Sequence, residues 1–278
     1  MKLENARYKV EFNLKAAEMT SFYDKELNLE YVWSGDPEYW SGRNPILFPI
    51  IGSSYDKKYH INGQVYEMGN HGFARNSMFV LVKQTEDSLT LKLESNAETL
   101  KQYPFEFSLD VTYILKDNEI QVDYKITNHS ELRMPFNFGL HPAFNCPLVK
   151  GESFSDYKVM FSNAVKLNGV GPDQKDTMIT EIPLTYEAFE KHSTWVYHNI
   201  KAPFIGYSNG KHGVWLSIVG YPVVAIWTPR KDAPFICLEP WLGLGKSVKE
   251  DLPFEERDAT ISLKPKRHFI TSYTIRVY

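Results

Sequence analysis

Cysteine is nearly absent: Cys146 and Cys237 are the two in 278 residues, with no CxxC pair or histidine cluster beside either. This excludes a disulfide-stapled framework and indicates no zinc site. No apolar run approaches the ~18 residues that a membrane-spanning helix needs. The opening residues, MKLENARYKVEFN, alternate and carry charge, unlike the apolar stretch of a secretory signal, so the expected compartment is the cytoplasm. Charge of one sign is not concentrated either. The formal net charge is −3, with acids and bases interspersed and no basic run. That argues against nucleic acid or an anionic membrane surface as the main partner, although a few local arginines suffice for one phosphate. A P-loop, a GxGxxG fingerprint and a metal-ligand cluster are all missing, so no nucleotide, metal or other cofactor is expected.

What the chain has is alternation. Tyr8, Val10 and Phe12 alternate with Lys9, Glu11 and Asn13, and Leu89, Leu91 and Leu93 with Thr90, Lys92 and Glu94. Phe105, Phe107, Leu109, Val111, Tyr113 and Leu115 line one side of a long strand. Ile120, Val122, Tyr124 and Ile126 line the next, and Phe269 to Val277 repeats the pattern at the end. A period of two sets one face on a core and the other in water. Asn209-Gly210, between two apolar stretches, predicts a two-residue type I′ hairpin turn. Leu184 to Lys191 is the best short helix. The expectation is an all-β chain, a large antiparallel β-sandwich forming a single domain over residues 1–278. The 17 Tyr, 17 Phe and 6 Trp suit such sheets, and any in a cleft can stack on a sugar ring.

Three stretches interrupt the alternation with Gly, Pro, His and Arg: 41–75, 135–147 and 234–245. Chemistry on a β scaffold concentrates in such interruptions. They contain Arg43-Asn44-Pro45, then Asn70-His71-Gly72-Phe73-Ala74-Arg75. His141-Pro142-Ala143-Phe144-Asn145 and Leu238-Glu239-Pro240-Trp241 follow. Each alone is weak, since a histidine beside proline is more often a hydrogen-bonded loop residue than a catalyst, and a glutamate before proline is ordinarily a solvated loop carboxylate. Together and in this order they resemble the aldose 1-epimerase (galactose mutarotase) family over most of the chain. HGFAR is similar to the hexose-6-phosphate epimerase branch, and HPAFN to the free-sugar mutarotases. The resemblance implies a β-sandwich of the galactose mutarotase type and cofactor-free interconversion of the α and β anomers of a hexose or hexose 6-phosphate. It also implies a catalytic pair, His141 and Glu239, with Arg43, Asn70, His71 and Arg75 binding substrate. The family's hydroxyl-binding aspartate has no convincing counterpart, because Asp156, Asp173 and Asp176 lack the expected surroundings.

The chemistry accounts for these residue types. Opening a pyranose removes a proton from the anomeric hydroxyl and adds one to the ring oxygen, tasks for a carboxylate and an imidazolium. Glu239 nearby is expected to keep His141 protonated towards neutral pH. Trp241 and Phe144 are candidate stacking platforms. Two rival functions compete with the epimerase. A non-catalytic sugar-binding protein needs no His/Glu pair, and a glycoside hydrolase normally uses two carboxylates.

Overall fold

The computed structural model describes residues 1–54, 56–172, 177–229, 232–245 and 252–278. The alternating stretches become long strands, Ser88–Glu94, Phe107–Lys116, Glu119–Asn128 and His268–Val277. These are the middle of a nine-stranded antiparallel sheet. From edge to edge it runs Ile179–Pro183, Lys158–Val165, Phe204–Ser208, Gly213–Ser217, His268–Val277, Glu119–Asn128, Phe107–Lys116, Ser88–Glu94 and Val80–Gln84. The second large sheet follows the order Gly169–Val170, Thr194–His198, Val223–Trp227, Phe235–Leu242, Phe138–Leu140 and Ile46–Leu47. Its seventh strand, Ala143–Asn145, also pairs with Phe235–Leu242. The fold is a large antiparallel β-sandwich.

One buried cluster joins the two sheets. The first contributes Leu109, Val111, Val122, Tyr124 and Tyr273, and the second Phe138, Leu140, Ile226, Ile236 and Leu238. Tyr124 meets Phe138 edge-on across the interface, with ring centroids 4.9 Å apart, a geometry that aromatic quadrupoles favour. Truncating so buried a ring, as in Phe138→Ala, costs about 3–5 kcal/mol.

Two local expectations are refined. The helix spans Tyr186–Lys191, with Thr185 capping it by accepting from the Ala188 N–H. The Asn209-Gly210 turn is a four-residue loop between Ser208 and Gly213 rather than a two-residue one. The Asn209 side chain accepts from the N–H groups of Lys211 and His212. That Asx-type closure needs a positive φ at Gly210 alone.

Candidate active site

The second sheet has two apolar-bordered faces, and the site lies on the one turned away from the main core. Strand Phe235–Leu242 aims Ile236 and Leu238 into the core. By alternation Phe235, Cys237, Glu239 and Trp241 point the other way. On one side it pairs Val223↔Trp241, Ala225↔Glu239 and Trp227↔Cys237. On the other it pairs Gly139↔Trp241 and Ala143↔Cys237. The same register, carried between those two pairs, sets His141 opposite Glu239. Cross-strand neighbours on one face lie within side-chain reach. His141 Nε2 stands 3.4 Å from Glu239 Oε2. Small neighbours leave the pair its space. A β-carbon on Gly139 would lie 2.9 Å from Trp241 Cδ1, so the indole can lie over that strand only if position 139 is bare.

A cavity of about 320 Å³ opens above the pair, and its wall includes Trp40, Asn70, His71, Arg75, Thr194, Trp227 and Trp241. Trp40 stacks on the His141 imidazole with centroids 4.7 Å apart and planes at 28°. Trp227 meets the same ring edge-on at 5.4 Å. The loop carrying Trp40 is anchored by the Trp33 indole N–H, which donates to the Trp40 carbonyl at 2.8 Å.

The segment Asn70 to Arg75 reaches the cavity through an unusual backbone. His71 has φ +64° and Gly72 φ +71°, two successive left-handed residues. At Gly72 a β-carbon would sit 2.3 Å from the Phe48 carbonyl oxygen, so glycine is required. A positive φ at histidine costs of order 1–3 kcal/mol and persists where the surroundings over-determine it. Here the Phe48 carbonyl accepts from both Phe73 and Ala74. The Gly52 N–H donates to His71 Nδ1 at 3.0 Å. Nδ1 is therefore an acceptor and Nε2 carries the proton.

Burial controls the charges. It pushes the His71 pKa down to about 4, with Arg75 adding to the effect. His141 lies well below the usual histidine range because it is buried, with His71 and Arg75 contributing. Glu239 lies well above the carboxylate range for the same first reason, countered in part by Arg75. The expectation that Glu239 keeps His141 protonated is thereby corrected: desolvation outweighs the attraction. Burial thus works against the charged form of each group.

The comparisons with known proteins agree with this architecture. Residues 1–181 match the aldose 1-epimerase family. The chain is 33% identical over 297 aligned residues to the chromosomal protein LacX of Lactococcus lactis subsp. lactis, covering all of this chain and 99% of LacX. This chain belongs to the aldose 1-epimerase family. A galactose mutarotase-like protein from Lactobacillus casei ATCC 334 superposes with a TM-score of 0.89 at 31% identity, over 100% of this chain and 99% of that one. A galactose mutarotase related enzyme from Lactobacillus acidophilus gives a TM-score of 0.92 at 28% identity, covering 100% and 97%. Membership places the chain among sugar epimerases.

Of the positions that sequence motifs mark in this family member, His141, Glu239, Asn70, His71 and Arg75 converge on one cavity. Arg43 does not join its lining. Its guanidinium packs on Gly35, whose built β-carbon would fall 2.7 Å from Arg43 Cζ. Its backbone N–H, with that of Asn44, donates to Glu18 Oε1 at 2.5 and 2.8 Å. Phe144 is fully buried in the main core and is not a platform, because alternation gives the site face to Ala143. Asp156 closes a 3₁₀ turn by accepting from the Ser153 N–H, and Asp173 and Asp176 lie outside the described residues. Trp40, Thr194 and Trp227 are additional lining residues. Trp227 and Thr194 each stand in an alternating strand, Val223–Trp227 and Thr194–His198, whereas Trp40 lies in a loop.

Proposed function

We propose that the protein is an aldose 1-epimerase that interconverts the α and β anomers of a free hexose, with the whole chain acting as one unit. The observation that carries this reading is the His141–Glu239 pair, 3.4 Å apart on the floor of the aromatic cavity. That separation is too long for a strong mutual hydrogen bond and leaves both groups available to one sugar edge. In the reactive arrangement the pair's proton sits on His141. Glu239 takes the anomeric hydroxyl proton while His141 gives its proton to the ring oxygen, and the C1–O5 bond breaks. The pair is left neutral, the arrangement that burial favours. After rotation about C1–C2, the reverse transfers close the other anomer.

His71, neutral with its proton on Nε2, donates to a sugar oxygen. Trp40, Trp227 and Trp241 supply apolar faces for the ring. A neutral hexose suits this wall, where among the described lining residues Arg75 supplies the guanidinium and its charge is faced by Glu18 and Glu239.

Exchange NMR at the anomeric proton of glucose and galactose is the test. The protein should accelerate exchange well above buffer. Glu239→Gln and His141→Asn should each lose roughly 10²–10⁴-fold, the range for a missing acid or base. Saturable sugar binding with exchange at the buffer rate would overturn the enzymatic reading in favour of a sugar-binding protein.

A further inference from the structure

Cys237 takes no part in the proton transfers, yet it belongs to the same face of the same strand. It lies two residues from Glu239 and opposite Ala143, diagonal to His141. The ligating atoms of His141, Cys237 and Glu239 all fall within 4.8 Å of one another, and all three residues are buried. His141 Nδ1 is in addition buried without a hydrogen-bond partner among the described residues, an exception to the rule for buried polar groups.

We propose that His141, Cys237 and Glu239 form a binding site for a thiophilic divalent cation such as Zn²⁺, at the floor of the cavity that His141 and Glu239 line, whose occupancy disables the acid–base pair. The donor set is imidazole, thiolate and carboxylate, all zinc ligands at about 2.0–2.3 Å. Tetrahedral coordination at those lengths holds ligands roughly 3.3–3.8 Å apart, so no side of the triangle, all within 4.8 Å, need contract by more than about 1.5 Å. Ala143 and Ala225 are small cross-strand partners of Cys237 and Glu239 on one side of each, while Trp227 stands opposite Cys237 on the other. The charge also balances. One thiolate and one carboxylate neutralise a divalent ion, which is what a buried site requires. Three protein ligands leave the fourth position to water or a sugar hydroxyl from the cavity.

Binding forms the S–metal, N–metal and O–metal bonds without oxidation. Any proton carried by the Cys237 thiol or by the His141–Glu239 pair must leave to solvent as the ion binds. The competing account is that Cys237 only packs, as a small apolar group, against Trp33, Ala143, Ala233 and Phe235.

Cobalt titration of the chelator-treated chain separates the two accounts. Co²⁺ should raise a thiolate-to-metal charge-transfer absorption that saturates at one ion per chain and is displaced by Zn²⁺. Cys146→Ala should retain the absorption, and Cys237→Ala should lose it, with zinc affinity lowered by about 100-fold or more, beyond the cost of losing an outer partner. If Cys237→Ala does not fold, Cys237→Ser serves in its place, since a hydroxyl cannot give the sulfur band. Absence of the band in the unaltered chain, or its survival without Cys237, overturns the site. The inhibitory consequence rests on the epimerase reading: zinc should slow anomer exchange in step with displacement of cobalt. A cobalt band without any catalysed exchange upholds the site and overturns the epimerase reading instead.

Discussion

His71 and Gly52 hold each other reciprocally: the Gly52 N–H donates to His71 Nδ1 at 3.0 Å, and the His71 N–H donates to the Gly52 carbonyl at 2.7 Å. The backbone therefore fixes both the ring orientation and the tautomer. With a pKa near 4, the imidazole stays neutral at working pH and serves as a donor rather than an acid.

The first prediction follows from that lock. Nitrogen-15 NMR should find His71 in the Nε2–H tautomer and neutral down to about pH 5, given its depressed pKa. His71→Ala should lower kcat/KM by roughly 10–100-fold, the worth of one hydrogen bond of about 1.5–3 kcal/mol to an oxygen that gains charge. A His71 that titrates near 6.5 would show that the Gly52 bond does not form in solution.

The pH profile should be broad. Acid inactivation requires a second proton on the pair, and burial holds His141 well below its ordinary 6.5. Alkaline inactivation requires removal of the single shared proton, and burial holds Glu239 well above its ordinary 4.5. Between those limits the pair keeps one proton, so the catalysed rate should form a plateau that falls at both ends. Anomer exchange followed from acid to alkaline pH, corrected for buffer catalysis, checks this. A narrow optimum between 4.5 and 6.5 contradicts the burial argument.

The same desolvation bears on stability. Glu239 binds its proton more tightly folded than unfolded. As pH rises above 4.5 the unfolded chain gives up that proton and the folded one keeps it. Stability therefore falls as pH rises towards the folded pKa. Glu239→Gln removes the penalty while filling the same volume, so at pH 7 it should raise Tm. The gain should vanish near pH 4. Equal melting of both proteins at neutral pH would mean that the carboxyl is solvated.

Why some of this was legible in the sequence, and some not, is a matter of range. The strands Phe107–Lys116 and Glu119–Asn128 show in the sequence because alternation is local and the turn between them is short. Motif likeness marks His141 and Glu239 individually. Their opposition is a property of register between strands brought together by the sheet, and no local pattern encodes it. Phe144 shows the limit of reading a motif without its pleat: it sits in the same short segment as His141, yet the alternation buries it on the opposite face. Trp40 lies in a loop placed by a Trp33 hydrogen bond and by stacking, neither of which has a sequence period. The proton inventory is also non-local, because it depends on how much water the fold removes.

The last prediction separates the two arginines. Arg75 lines the cavity from the 3₁₀ turn Ala74–Asn76, while the Arg43 guanidinium packs against Gly35. Arg75→Ala should lower kcat/KM for glucose or galactose by roughly 10–100-fold, since a charge-assisted hydrogen bond contributes about 1.5–3 kcal/mol. Arg43→Ala should change it by less than about threefold, because its loop is held by backbone bonds to Glu18 that the substitution leaves in place. Neither variant should reveal a preference for hexose 6-phosphates, because phosphate recognition would call for paired guanidinium contacts, and among the described lining residues Arg75 is the one arginine. Exchange rates measured for the free sugar and its 6-phosphate at fixed ionic strength decide the matter. A phosphorylated hexose that turns over tenfold or more faster, with the advantage lost in Arg43→Ala, would place Arg43 in the site and make the phosphorylated sugar the substrate.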